Sequence, residues 1–189
     1  FDPQRVMFFG HSQGGLNGPL WLAAEDGAHA AVLSGAAGVI MLSLVLKTRP
    51  INIAVLLSQL LQLQPNELVP LHPVMTVLQL LVDPADPVNY GRYIIREPRE
   101  GMRARHVFMT QGFVDSYAPP PGIAALALSI GVPLTEPVLH PQNDFGLTGL
   151  AVMNLPARNN LTLAAPGTAV TAAWMQFDAA TGRDGHFVV

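Results

Sequence analysis

Arg5-Val6-Met7-Phe8-Phe9-Gly10-His11-Ser12-Gln13-Gly14-Gly15 is the stretch from which the rest of the chain is best read. Its first five residues form the short apolar run of a strand buried on both faces. Gly10 to Gly15 makes a tight, glycine-rich turn. Beyond it, Leu16, Leu20, Trp21, Leu22, Ala23 and Ala24 predict a helix that Asp26-Gly27 can close, with Gly27 as C-terminal cap. Pro19 fits the first turn of that helix better than its middle. A second apolar strand, Ala30-Ala31-Val32-Leu33-Ser34, ends at Gly35. Strand, turn, helix, strand at this spacing predicts one βαβ unit of a parallel sheet.

The chain around this unit has 189 residues, half of them apolar and 12% charged, which is ample material for a buried core. A disordered chain would be poorer in apolar residues and richer in net charge. The formal charge of −3, with no cluster of Lys and Arg, argues against a nucleic-acid partner. The absence of cysteine excludes disulfide frameworks, thiolate metal sites and cysteine nucleophiles. The longest apolar stretches, Ala30 to Leu46 and Ile51 to Leu63, are interrupted by Ser, Gly or Gln. Neither supplies the about 20 uninterrupted apolar residues of a spanning helix, so no stable membrane span is expected.

From Val39 to Val82 the pattern becomes apolar and mostly helical, divided by Pro50, Pro65, Pro70 and Pro73. Asp83-Pro84-Ala85-Asp86-Pro87 is a turn cluster, and Tyr90 to Arg96 predicts a short helix. A third strand is expected at His106-Val107-Phe108-Met109-Thr110, stopped by Gln111-Gly112. A helix follows over Gly122 to Ile130, an extended loop over Pro156 to Gly167, and a fourth strand over Thr168 to Phe177. Asp178 to Gly185 is a polar turn delivering His186. This divides the chain into a βαβ unit at 1–38, a helical insertion at 39–82 and a region of later strands and loops at 83–189.

A serine hydroxyl is a poor nucleophile at neutral pH and needs a base in contact and donors for the developing oxyanion. A G-x-S-x-G turn between strand and helix supplies the geometry, forcing the serine into a strained, exposed position while flanking glycines let the backbones pass. Gly10, His11, Ser12, Gln13 and Gly14 meet that pattern in that context.

These residues resemble the nucleophile elbow of lipases and esterases of the α/β-hydrolase superfamily. Two further stretches match the family in its chain order of nucleophile, acid, histidine. Gln111-Gly112-Phe113-Val114-Asp115 is similar to the acid loop, and Asp184-Gly185-His186-Phe187 to the histidine loop. The resemblance implies an α/β fold with a mostly parallel sheet, flanking helices and a helical lid or cap. It implies Ser12 as nucleophile, His186 as base and Asp115 as the acid that orients the imidazole. The backbone N–H of Gln13 would be an oxyanion donor, and His11 would shape the elbow floor. Asp86 stays open as an alternative acid, because some members place theirs after an earlier strand. Its other reading is a Pro-stabilised turn with helix caps. Asp184 and Asp144 read as surface residues.

His29, His72, His106 and His140 have no partner at metal-ligand spacing, so structural or surface roles are expected, with no catalytic metal and no cofactor. Leu56, Leu57, Leu60, Leu61 and Leu63 recur at near-helical spacing. As a lid they would line an acyl pocket; as core they would pack on the sheet. The substrate implied is a small-molecule or lipid ester, and lipid-degrading relatives lean towards export. The family has several strands before the nucleophile strand, a loop there giving the second oxyanion donor, and a final helix after the histidine. The chain therefore reads as a fragment lacking N-terminal strands, and as one that would expose a sheet edge. Acyltransferases and thioesterases use the same triad, and a non-catalytic α/β scaffold could keep the elbow sequence, so these alternatives stay open.

Overall fold

The computed structural model describes residues 2, 5–64, 66–142, 145–163 and 169–188; Pro65 and Asp144 lie outside them. Four strands form one parallel sheet in the order β1 (Met7–His11), β2 (Ala30–Ser34), β3 (His106–Phe113) and β6 (Ala172–Asp178). Helix α1 (Gln13–Ala24) connects β1 to β2. The segment between β2 and β3 carries α2 (Ile40–Leu46), α3 (Ile53–Leu60) and α4 (Pro73–Val82), followed by 3-10 turns, and α5 (Pro120–Ile130) follows β3. A four-residue helix α6 (Phe145–Thr148) precedes a two-stranded antiparallel ribbon of β4 (Leu161–Thr162) and β5 (Ala169–Val170). The fold class expected from the sequence, a mostly parallel sheet with flanking helices, is the one observed. No helix among the described residues is long and apolar enough to cross a membrane.

The main core lies between the sheet and the α1/α5 layer. Alternate strand residues point into it: Leu33, Val107, Met109 and Trp174 meet Leu22, Ile123 and Leu126, all at most 2% exposed. Each such side chain contributes roughly 1.5–3 kcal/mol relative to exposure. A smaller cluster of Met41, Leu68 and Met75 joins α2 and α4.

Several expectations need correction. β1 is not buried on both faces: it is an edge strand, and Met7 and Phe9 remain 65% and 58% exposed. The helices pack on the Phe8 side, where that ring stacks on Trp21. The other side, with Val32, Phe108 and Met175, lines an open apolar depression with Leu155 and Pro156. Pro19 sits inside α1, because the helix starts directly after Ser12 rather than near Leu16. Gly27 is not its cap; the helix ends at Ala24, with extended Glu25 donating its N–H to the Trp21 carbonyl. β3 continues through Gln111 and Gly112 to Phe113, because β6 pairs with it along that length. The fourth strand of the sheet begins at Ala172, and Ala169–Val170 belongs to the separate ribbon.

Candidate active site

Parallel strands deliver their C-terminal ends to one rim of a sheet, and the functional candidates collect there. Ser12 follows β1 directly and precedes α1, with φ 56° and ψ −117°. A positive φ of this kind is costly for a residue with a Cβ, and it is the strained geometry of a strand-to-helix elbow. Its N–H donates to the Ser34 carbonyl at 2.9 Å, tying the elbow to the end of β2. Gly10 is where the elbow is sterically tight: a Cβ there would lie 2.5 Å from the Gly14 carbonyl oxygen. Gly14 is not the second tight point that the motif suggested, since a Cβ on it would meet nothing within 4 Å. Gly15 takes that place, against Ala36. Gln13 is the first residue of α1, so its N–H has no intrahelical acceptor and points from the positive end of the helix.

Asp115 and His186, 71 residues apart, are hydrogen-bonded through Nδ1 and Oδ2 at 2.9 Å, both at most 3% exposed. The other carboxylate oxygen of Asp115 accepts the N–H groups of Tyr117 at 2.8 Å and Ala118 at 2.7 Å. Both oxygens are thus held, and with Nδ1–H donating to the carboxylate, Nε2 is left as the acceptor. The Tyr117 ring stacks on the imidazole with centroids 4.8 Å apart.

Gly35, at φ +52°, places its α-carbon against the imidazole; a Cβ there would come within 2.9 Å of Nδ1 and Cε1. Ser34 and Gly35 therefore touch both halves of the candidate site, Ser12 through the Ser34 carbonyl and His186 through Gly35. The Ser12 hydroxyl and the imidazole are not themselves hydrogen-bonded. Catalytic hydrogen bonds are often long in unliganded sites and shorten with substrate.

Asp86 is fully buried, but its carboxylate is not on His186. Oδ1 accepts the N–H of Val39 and Oδ2 that of Ile40, at 3.0 and 2.7 Å, where α2 begins. Oδ1 also takes the Val88 N–H and Oδ2 the Gln79 amide. This is the capping role, with negative charge at a helix start. Asp184 is not merely a surface residue. It accepts the N–H groups of Ser116 at 3.1 Å and His186 at 3.0 Å, together with the Ser116 hydroxyl. Burial opposes its ionisation, but the hydrogen bonds from Ser116 and His186 outweigh that and hold its pKa below the ordinary carboxyl value.

His11 bonds Ser34 Oγ through Nδ1 at 3.1 Å, and its ring lies 4.7 Å from that of His186. Partial burial, then the nearby His186, lower its pKa, with Asp115 opposing. The remaining histidines lie elsewhere. His72 accepts the Val74 N–H at the start of α4, and His106 accepts the Thr171 N–H. His29 contacts Arg103, and His140 stacks on Phe113. Among the described residues, no group of three or more His, Cys, Asp or Glu is placed to hold a metal ion.

Ser12 and Gln13 line a cavity of about 330 Å³ whose wall is mostly apolar, with Leu16, Ile40, Leu44 and Tyr117 in it. Its helical wall is made by the start of α1 and by helix α2. The leucine series of the sequence reading does not form it: Leu56 and Leu60 of α3 are 50% and 78% exposed, and Leu57, Leu61 and Leu63 pack on the small α2/α4 cluster. Sequence reasoning missed Gly35, Tyr117 and Ser116. Gly35 was visible as a glycine closing a strand, but only the packed fold shows what it faces.

No protein-family model matches the chain, and no curated protein sequence does. Solved structures do resemble it, at low identity. The Mycobacterium tuberculosis puromycin-hydrolyzing peptidase has 15% identity and a TM-score of 0.48, covering 94% of this chain and 19% of that one. The Pyrococcus horikoshii acylaminoacyl peptidase has 12% identity and a TM-score of 0.45, covering 82% of this chain and 19% of that one. The chain thus spans about a fifth of the length of the structures it matches.

Proposed function

We propose that the chain carries the acyl-transfer machinery of a serine hydrolase and that its substrates are carboxylic esters. The observation that carries this reading is the buried Asp115–His186 pair, packed on the Gly35 that follows the backbone partner of a strained Ser12. Ser12 Oγ attacks the ester carbonyl while His186 Nε2 takes its proton, and Asp115 stabilises the imidazolium that forms. The Gln13 N–H donates to the oxyanion. Collapse of the tetrahedral intermediate breaks the C–O bond; the alcohol leaves with the proton from His186, and the acyl group stays on Ser12. Water, deprotonated by the same imidazole, then releases the acid. Helix α2 and the helices packed on it act as a cap, and the apolar cavity beneath suits an acyl group. No cofactor enters this scheme.

The test is labelling by a fluorophosphonate probe, together with hydrolysis of an aryl ester and the matching anilide. Labelling that is lost in Ser12→Ala, with the ester cleaved faster than the anilide, is the expected result. Faster anilide cleavage would reassign the enzyme to amides. A folded chain that takes up no probe would leave the non-catalytic α/β scaffold as the better reading.

A further inference from the structure

The cavity beside Ser12 contains one feature that a simple apolar acyl pocket does not need. Lys47, directly after α2, also lines it, and Lys47 is the only lining side chain charged at neutral pH. Its ammonium has no hydrogen-bond or ion-pair partner among the described residues. The buried carboxylate at the other end of α2, Asp86, is occupied by two helix amides, the Val88 N–H and Gln79. A seven-residue helix puts that end roughly 10 Å away. The next cation along the chain, Arg49, lines a different depression with Asp184. Ser43, also in the cavity wall, already donates its hydroxyl to the Gly38 carbonyl. The cavity wall is thus mostly apolar, and among the described residues that line it Lys47 is the one with an uncommitted charge. Pockets of this make-up fix orientation and specificity through their few polar groups, and an ammonium without a partner makes its strongest hydrogen bonds with an anion.

We propose that Lys47 determines specificity for acyl groups ending in a carboxylate, so that the preferred substrates are monoesters of short dicarboxylic acids. The inference rests on the serine-hydrolase reading above. The acyl side is chosen because Gln13, whose N–H would bind the acyl carbonyl, lines the same cavity. The apolar wall of Leu16, Ile40 and Leu44 would cover the methylene chain, and the terminal carboxylate would meet the ammonium.

The experiment compares kcat/KM for a monoaryl glutarate with that for the aryl pentanoate, in wild type, Lys47→Met and Lys47→Arg. Wild type is expected to favour the glutarate by roughly tenfold or more, the scale of one charge-assisted hydrogen bond. Lys47→Met should lose that preference through KM, and Lys47→Arg should restore most of it. An unchanged preference in Lys47→Met, or a wild-type preference for the neutral ester, overturns the proposal. Calorimetric titration of Ser12→Ala with free glutarate separates this inference from its foundation. Binding abolished by adding Lys47→Met supports the anion site even if no ester is turned over. Absence of glutarate binding alongside active cleavage of neutral esters removes Lys47 and leaves the hydrolase standing.

Discussion

The sheet rim and the helical segment at 40–82 differ sharply in how closely they are packed. At the rim, a Cβ on Gly112 would lie 2.0 Å from the Gly185 carbonyl oxygen, and one on Gly35 would run into the imidazole. The neighbouring core residues Leu33, Met109 and Trp174 are fully buried. In the helical segment the buried apolar set is Met41, Leu68 and Met75, while Leu60, Leu71 and Leu81 are 78%, 89% and 72% exposed. Ser12, Asp115 and His186 follow directly on strand ends or lie in loops packed tightly against them. The helical segment, proposed above as a cap over the cavity, buries few apolar side chains by comparison. This fits a division in which the rim sets the rate and the helices set the choice of substrate.

The largest effect should come from breaking the rim's buried pair. Asp115→Asn keeps the shape but removes the charge that orients His186, and kcat should fall by about 10⁴ with the fold intact by circular dichroism. Hydrolysis near the wild-type rate would take Asp115 out of the site. Next, Leu33→Ala should cost about 3 kcal/mol in denaturant unfolding, whereas Leu81→Ala should stay within about 0.5 kcal/mol. Equal costs would erase the contrast between the two regions. Gly35→Ala should reduce turnover by about 10²-fold, since it strains the backbone and displaces the imidazole by a fraction of an ångström. Gly14→Ala, facing open space, should leave thermal stability unchanged or slightly raised; a large loss there would show that the elbow is tight on both sides.

The smallest effect concerns pH. The folded state holds the His11 pKa below the ordinary value of about 6.5. Between those two values the unfolded chain binds more protons, so stability rises with pH through this window. It is fully present above about pH 6.5 and declines as pH falls towards the folded pKa. Melting temperatures measured from pH 5 to 7 should therefore slope more steeply in wild type than in His11→Gln. Parallel curves would assign the slope to other groups.

The parts of the molecule legible in the sequence were those fixed by local chemistry. Gly10 to Gly15 between an apolar run and a helical one places Ser12 without further information. The Gln111–Asp115 and Asp184–Phe187 stretches were readable because loops after strands carry short polar signatures. Asp115 and His186 accordingly appear as candidates, and the structure sets them side by side. Features that depend on what covers a surface were not legible. Val6 to Phe9 has the same residues whether β1 is central or, as found, an edge strand with Met7 and Phe9 in solvent. Pro19 looked like a first-turn residue because nothing local says that α1 begins at Gln13; that start follows from the elbow. The leucines of α3 carry the periodicity of a buried face, yet periodicity cannot say whether the partner is the sheet, a cavity or a small satellite cluster.

Asp184 joins two loops that arrive from different strands. One carboxylate accepts from Ser116, next to Asp115, and from the amide of His186. The two loops are thereby joined next to the Asp115–His186 hydrogen bond. The pair is thus held from both sides, by Asp184 through the two loops and by Gly35 against the imidazole ring.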